Sequence, residues 1–130
     1  DGIVLSPDEG ELHYSLGLIL AEEKQLEAAV ISLARASELL PDRTRVHYNH
    51  ALALQHLDRP ADAESALTRA YQTNPEDPEV LQALVILYAQ QRKWDEAIVY
   101  ARQIVKLFPN ASGANQTLDQ LLKLRDRDNQ

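Results

Sequence analysis

Proline recurs along this chain at a fixed interval. Four prolines lie 34 residues apart, at Pro7, Pro41, Pro75 and Pro109. The same interval separates three alanines, Ala29, Ala63 and Ala97. A period of this length indicates one supersecondary unit copied along the chain, with each copy contacting only its neighbours. The period therefore constrains the fold more strongly than any single residue does.

The composition favours helices as the repeated elements. Hydrophobic residues make up 45% of the chain, but aromatic residues only 5%, so the core must consist mainly of Ala, Leu, Val and Ile. Only four glycines occur, which is few for an all-β fold with many turns. The composition is thus typical of closely packed helices.

Three blocks of 34 residues align without gaps. In each block the apolar residues recur at intervals of three and four, the period of an amphipathic helix, in two stretches separated by a short polar bend. We therefore predict an all-α fold, an α-solenoid of three helix–turn–helix units followed by a C-terminal capping helix. The predicted segments are 1–9 as the remnant of a preceding repeat, the repeats 10–43, 44–77 and 78–111, and 112–130 as capping helix and frayed tail.

The bends and helix ends can be placed from turn chemistry. The first helix is expected over 11–22 and the second over 26–40, with the bend at 23–25 between them. Pro41 would end the second helix, because proline lacks an amide hydrogen and clashes with the preceding turn. Asp58 is a candidate N-cap for the helix that begins near Pro60, and Asp77 for the helix that begins at Pro78.

The first residues resemble the end of a repeat. Pro7 is in register with the later prolines, and Ile3, Val4 and Leu5 match the end of a second helix, so we expect the natural chain to extend further N-terminally. An uncovered first helix would expose apolar surface, and self-association into a homodimer through exposed repeat ends is an open alternative.

The charge distribution argues against two classes of partner. The net charge is −7, and residues 1–43 hold nine acidic and three basic side chains. An acidic surface repels nucleic acid and anionic lipid, so we expect neither as a partner. No apolar run approaches the roughly 18 residues that a membrane span needs, so membrane insertion is not expected. The compartment, cytoplasm or periplasm, stays open because the absence of Cys fits both.

Catalytic and metal-binding chemistry find little support in the sequence. There is no Cys, no phosphate-binding loop and no nucleophile motif. His47 and His50 have metal-compatible spacing, but no third ligand lies nearby in the repeat, and most carboxylates fall on outward helix positions. We therefore expect no catalytic residues, no metal and no cofactor.

The repeats resemble tetratricopeptide repeats, which are 34-residue helix–turn–helix units with small or apolar residues at fixed positions. The third repeat departs from the pattern, because Ala101 and Ile104 stand where the motif has a large residue and then a small one. We interpret this exchange as repacking that conserves the volume of the pair. The first repeat matches the motif at Leu16, Gly17, Leu20, Ala29, Leu33, Ala36 and Pro41. The second repeat matches it at Ala51, Leu54, Ala63, Leu67, Ala70 and Pro75.

The resemblance implies a protein–protein interaction scaffold with a groove lined by the first helix of each repeat. An apolar or amphipathic peptide segment is the ligand that it implies. The alternative is that these side chains pack against the protein's own helices. Carried over by repeat position, the expected groove residues are Tyr14, Leu18, Arg45, Tyr48, Asn49, Leu52, Gln55, Gln82 and Ile86.

Two narrower functions follow from the resemblance. Some members clamp the C-terminal carboxylate of a chaperone peptide, but of the matching positions only Asn49 fits, so we expect no such clamp. The stretch 13–18 is also loosely similar to tetratricopeptide tails of bacterial multihaem cytochromes. The rival function is therefore an accessory or recruitment segment of a larger enzyme or redox protein.

Overall fold

The structure is a computed structural model that describes residues 7–130. Within this range every regular element is an α-helix, which confirms the all-α prediction. The chain divides into two compact units, Asp1–Asn74 and Pro75–Gln130. The helices are α1 (Pro7–Glu22), α2 (Leu26–Leu39), α3 (Thr44–His56) and α4 (Pro60–Thr73) in the first unit, and α5 (Pro78–Gln90), α6 (Trp94–Leu107) and α7 (Ala114–Asp128) in the second.

In the first unit each helix packs against the next along the chain. Its core consists largely of the small and branched residues that the repeat pattern singled out, and the alanines among them have no exposed surface. Small side chains allow the helix backbones to approach closely, so the alanine period reflects packing. The buried residues from the pattern are Ala29, Leu33, Ala36, Ala51, Leu54, Ala63, Leu67 and Ala70.

Gly17 of α1 lies in close contact with Leu33 of α2. A Cβ atom placed on Gly17 would lie 2.6 Å from Cγ of Leu33 and 3.4 Å from its backbone nitrogen. Real Cβ contacts are longer than the first of these distances, so any side chain at this position must displace its neighbour. Glycine is therefore required here by contact between the helices rather than by backbone conformation.

The bend within each repeat is the same hydrogen-bonded turn. In the first repeat the amide of Gln25 donates to the carbonyl of Leu20 at 2.9 Å, and the amide of Lys24 donates to that of Ala21 at 3.0 Å. These two bonds define a Schellman motif, which needs one residue in the left-handed conformation. The same pair of bonds closes the other two bends, and the left-handed residues are Lys24, Asp58 and Arg92 with φ of 62°, 58° and 59°.

The helix caps agree with the sequence prediction at one site and not at another. Asp77 caps α5 as expected, with its carboxylate accepting hydrogen bonds from the amides of Glu79 at 2.9 Å and Val80 at 3.3 Å. The prediction for Asp58 is wrong. Asp58 is the left-handed residue that ends α3, and Arg59 occupies the N-cap position of α4 without a side-chain cap.

The second unit packs α5 against α6 and α6 against α7. The last helix, α7, continues to Asp128, while the frayed tail expected within 112–130 stays a prediction. The carboxylate of Asp128 accepts hydrogen bonds from the indole of Trp94 at 2.5 Å and from the guanidinium of Arg92 at 3.1 Å. These contacts tie the last turn of α7 to the beginning of α6, which explains why the helix does not end earlier.

The first helix begins earlier than the sequence suggested and carries an exposed apolar stripe. It begins at Pro7 rather than near residue 11, and the expected helix remnant at residues 3–5 lies outside the described residues. Leu12 and Ile19 are 67% and 54% exposed. At the same repeat positions of α3, Val46 and Ala53 are buried. Within residues 7–130 nothing covers the face of α1 that corresponds to a repeat junction, while self-association through it stays a prediction.

Candidate functional site

The expected groove residues of the first unit lie on α1 and α3, the first helices of their repeats. Three of them, Leu18, Asn49 and Leu52, line a shared cleft of about 170 Å³. All three side chains are half-buried, so each presents part of its surface to the cleft. The remaining lining residues are mostly apolar: Ala21, Leu26, Leu33, Ala53 and His56.

Tyr14 is oriented by contacts within the protein. Its ring packs against the buried cluster of Ala36, Leu40 and Val46. Its hydroxyl accepts a hydrogen bond from Nδ2 of Asn49 at 2.9 Å. Tyr14 therefore contributes to the packing of α1 on α2 and α3, and this contact favours the alternative that some expected groove side chains serve the protein's own core.

Asn49 is already engaged as a donor. Besides the bond to Tyr14, Nδ2 donates to the backbone carbonyl of Arg45 at 2.9 Å. An amide NH₂ group has two hydrogens, so these two bonds use its donor capacity and leave the side-chain oxygen facing other partners. Asn49 thus presents an acceptor rather than a donor to a ligand.

Arg45 and Tyr48 form a pair on α3. The guanidinium carbon of Arg45 lies 4.4 Å from the centre of the Tyr48 ring, within the range of a cation–π contact. Both side chains are half-buried. The contact places a positive charge over the aromatic ring on the same helix as the cleft residues Asn49 and Leu52.

The acidic rim near the beginning of α1 is partly neutralised. Glu11 accepts a hydrogen bond from the guanidinium of Arg43. This hydrogen bond, more than the charge attraction, lowers the pKa of Glu11 and raises the pKa of Arg43. Both groups are exposed, so the ion pair adds little to stability, and Asp8 and Glu9 keep the beginning of α1 acidic.

The remaining expected residues do not line this cleft. Gln55 is half-buried on α3 and does not line the cleft. Gln82 and Ile86 lie on α5 of the second unit, where Ile86 is 43% exposed. Gln82 borders a different cavity. The structure therefore brings together Leu18, Asn49 and Leu52, with Tyr14 behind Asn49.

The second unit carries a larger cavity that the sequence analysis missed. Its volume is about 700 Å³, and it lies between the first half of α5, the second half of α6 and the beginning of α7. Two of its lining residues are Ala101 and Ile104, the pair that departs from the repeat motif. In the sequence, the exchange of large and small residues at this pair is the feature that could have indicated the cavity. Interpreted as repacking that conserves volume, the exchange predicts no cavity.

His47 and His50 are packed within the protein rather than arranged as metal ligands. His47 is buried, its Nε2 lies 2.7 Å from the carbonyl of Pro41, and its Nδ1 has no partner. Burial lowers the pKa of His50, and the positive charges of His47, Arg69 and Arg59 add to this effect. Across residues 7–130 we find no group of three or more His, Cys, Asp or Glu side chains suited to hold a metal ion. Nor does any helix in that range have the length and apolar character to cross a membrane.

The described helices, their 34-residue register and the Schellman bends define a tetratricopeptide fold. The chain belongs to the tetratricopeptide repeat family, since models of this repeat match residues 10–43 and 54–121. This confirms the resemblance drawn from the sequence.

Individual proteins similar to this chain agree with the family. It is 32% identical over 101 residues to the type IV pilus assembly protein PilF of Pseudomonas aeruginosa, and the match covers 76% of this chain but only 38% of that relative. The chain thus spans about two fifths of PilF.

Solved structures show the same fold at low identity. One is the first tetratricopeptide domain of Spaghetti (RPAP3) bound to the HSP90 peptide SRMEEVD, with a TM-score of 0.81, 19% identity and coverage of 94% of this chain and 97% of that chain. Another is the Sgt2 tetratricopeptide domain from Aspergillus fumigatus, with a TM-score of 0.80, 14% identity and coverage of 99% and 87%.

Proposed function

We propose that this chain is a non-catalytic scaffold that binds a peptide segment of a partner protein along α1 and α3. The observation that carries the proposal is the cleft between Leu18 and Leu52, which is apolar except for Asn49 and His56. A cleft of about 170 Å³ fits one apolar side chain rather than a drug-sized ligand, whose pockets are larger. A peptide that inserts one anchor and lies across the neighbouring surface suits this geometry.

The neighbouring side chains give the ligand its expected chemistry. Tyr48 offers a ring against which an apolar side chain can pack, and Arg45 supplies the positive charge beside it. The oxygen of Asn49 can accept a hydrogen bond from a peptide amide, because its NH₂ group is already engaged. We infer an amphipathic peptide with one large apolar anchor, as helix or extended strand.

The clamp for a terminal carboxylate is not part of this proposal. Such a clamp needs several donors or positive charges directed at one carboxylate. At the matching positions this chain has Tyr14, Leu18, Asn49, Glu79 and Ala83, and the amide of Asn49 donates within the protein. The ligand chemistry therefore differs from the acidic peptide seen in the Spaghetti (RPAP3) complex.

The proposal is tested by selecting a peptide ligand and then measuring its affinity for variants of the chain. A displayed library of random peptides is enriched on the wild-type chain, and the best peptide is labelled and titrated by fluorescence anisotropy. Leu52→Glu places a charge in the apolar cleft, and we expect at least a tenfold loss of affinity. The far-ultraviolet circular dichroism of the variant verifies its fold.

The matched control is Ile31→Glu. Ile31 is exposed on α2 and does not line the cleft, so this variant introduces the same charge on an apolar residue elsewhere in the unit. We expect unchanged affinity. The proposal fails if no peptide is enriched, or if the two variants lose affinity equally.

The class of partner is inferred from the similarity to PilF. PilF is a pilus assembly protein, and the shared stretch of 101 residues covers most of this chain. We propose that this chain serves in the assembly of a multi-protein structure. The rival function, an accessory segment of a redox protein, stays a prediction from the sequence.

A further inference from the structure

We propose that the cavity of the second unit binds a partner polypeptide through two large, uncharged apolar side chains of that partner. This site is distinct from the cleft of the first unit. The cavity has a volume of about 700 Å³, within the range of pockets that bind ligands. The proposal rests on the proposed function only in that both sites would receive polypeptide.

The cavity owes its space to an exchange within the third repeat. At the position of Ala101 the first two repeats have Leu33 and Leu67, and both leucines are buried completely or nearly so. Ala101 is equally buried but three carbon atoms smaller, and it lines the cavity. Ile104, in place of an alanine, forms part of the wall.

The chemistry of the walls selects an uncharged occupant. A quarter of the residues in this chain are charged, yet no lining side chain of this cavity carries a charge. A charged group placed there would lose its hydration without gaining a partner. The lining residues are Pro78, Gln82, Ala101, Ile104, Leu107, Phe108, Pro109, Asn110, Ala111, Ser112, Gly113, Ala114 and Thr117.

The polar groups among the lining residues favour polypeptide over a plain hydrocarbon. Gln82 is exposed on α5, Asn110 is exposed in the loop before α7, and Thr117 is half-buried on α7. Their amide and hydroxyl groups can pair with the N–H and C=O groups of a peptide backbone. Apolar walls together with a few polar groups are the usual composition of a ligand-binding pocket.

The loop that forms one wall is held in place without a ligand. The amide of Phe108 donates to the carbonyl of Ile104 at 2.8 Å, and the amide of Ala111 donates to that of Phe108 at 2.9 Å. Gly113 has a φ of 81°, a conformation that side chains disfavour, and it precedes the first residue of α7. The cavity is therefore preformed. A ligand that binds a preformed site loses less binding free energy than one that must first order the walls of its site.

The probe for this site is the capped dipeptide N-acetyl-leucyl-phenylalaninamide, titrated into ¹⁵N-labelled protein and followed by amide shifts. We expect saturable shifts at Gly113 and Thr117. The charged analogue N-acetyl-leucyl-glutamic acid amide should bind at least fivefold more weakly. Absence of saturable shifts up to the solubility limit, or equal binding of both probes, would overturn the proposal.

Two variants connect the shifts to the cavity. Ala111→Glu changes an exposed lining residue and should weaken binding of the uncharged probe at least fivefold, whereas Ala61→Glu, at an exposed alanine of α4, should not. Ala101→Leu restores the residue of the other repeats and should abolish binding. An unchanged affinity in Ala111→Glu would contradict the assignment even if Ala101→Leu fails to fold.

Three further outcomes distinguish a polypeptide site in this cavity from binding elsewhere or of another kind. Leu52→Glu should leave the shifts at Gly113 and Thr117 unchanged, so the two proposed sites can fail independently. If indole, which lacks peptide amides, binds as tightly as the dipeptide, the site takes small apolar molecules and the proposal is wrong. Shifts at these amides that depend on protein concentration alone would assign the cavity to a second copy and also contradict it.

Discussion

The indole of Trp94 donates a hydrogen bond to the carboxylate of Asp128 at 2.5 Å, joining the first residue of α6 to the last residue of α7. Arg92, the left-handed residue of the preceding bend, donates to the same carboxylate. The hydrogen bond from Trp94 is the largest cause of the lowered pKa of Asp128, followed among the favourable contacts by the bond from Arg92. One acidic side chain thus ties the end of the last helix to a bend in the repeat before it.

This contact can be followed by fluorescence, because Trp94 is the only tryptophan. Since the pKa of Asp128 is lowered in the folded state, its stabilising effect is complete above the ordinary value of 3.8 and is lost as the pH falls through the lowered value. We expect a change in tryptophan emission with a midpoint below pH 3.8. Asp128→Asn should lack this transition and lower the melting temperature at pH 7.

The control for that experiment is Asp126→Asn. Asp126 is exposed and lies two residues before Asp128 without contacting the indole. It should retain the emission change of the wild type. An identical acid titration in Asp128→Asn and wild type would show that the carboxylate does not hold the indole.

Much of this fold was predictable because local signals and packing agree. The proline and alanine period indicates the repeats, and the polar bends indicate the turns at Lys24, Asp58 and Arg92. The assignment of Asp58 as an N-cap failed because Asp suits both an N-cap and a left-handed position, and residue type cannot separate them. The hydrogen bond between Trp94 and Asp128 in the last turn of α7 was not predicted, because the two residues are distant in sequence.

The candidate sites were less predictable than the helices. The position within each repeat predicted that Leu18 and Leu52 line the same groove. It could not predict the hydrogen bond between Asn49 on α3 and Tyr14 on α1. Position within a repeat fixes the side of a helix, whereas side-chain partners depend on three-dimensional distances. The cavity beside Ala101 was missed for a related reason. The exchange at Ala101 and Ile104 can conserve the summed volume of the two side chains and still move that volume to a different place.

Gly17→Ala should destabilise the first unit. The added Cβ would lie 2.6 Å from Cγ of Leu33, and the nearby backbone nitrogen of Leu33 limits relief by side-chain rotation. We expect a loss of about 1–3 kcal/mol in the free energy of unfolding, measured by urea denaturation. Ser15→Ala, at an exposed site on the same helix, should change it little.

A double-mutant cycle identifies the cause. In Leu33→Ala the side chain that the new Cβ meets is removed, so Gly17→Ala should cost less in that background than in the wild type. Equal costs in both backgrounds would indicate a loss unrelated to the contact between α1 and α2.

Lys24→Gly should stabilise the chain. Lys24 has a φ of 62°, and a residue with a side chain is strained in this conformation by about 1–2 kcal/mol. Part of the gain is offset by the greater freedom of glycine in the unfolded chain, so we expect about 0.5–1 kcal/mol in chemical denaturation.

The matched substitution is Lys93→Gly in the third bend. Lys93 has a φ of −89°, which any residue adopts without strain. Glycine there brings only the entropic loss, and we expect destabilisation of about 0.5–1 kcal/mol. If both variants move in the same direction, the left-handed strain at Lys24 is not the controlling factor.

His50 should make the stability depend on pH below its ordinary pKa of 6.5. Burial and the positive charges nearby lower its pKa in the folded state from the ordinary value of 6.5. The unfolded chain therefore binds more protons as the pH falls below 6.5, and folding loses free energy until the pH passes the lowered value. The urea midpoint of the wild type should fall over this range, and that of His50→Gln should fall less. His56→Gln, an exposed change on the same helix, should follow the wild type. A pH dependence that is the same in wild type and His50→Gln would assign the loss to other groups, because this substitution removes the half-buried imidazole at position 50.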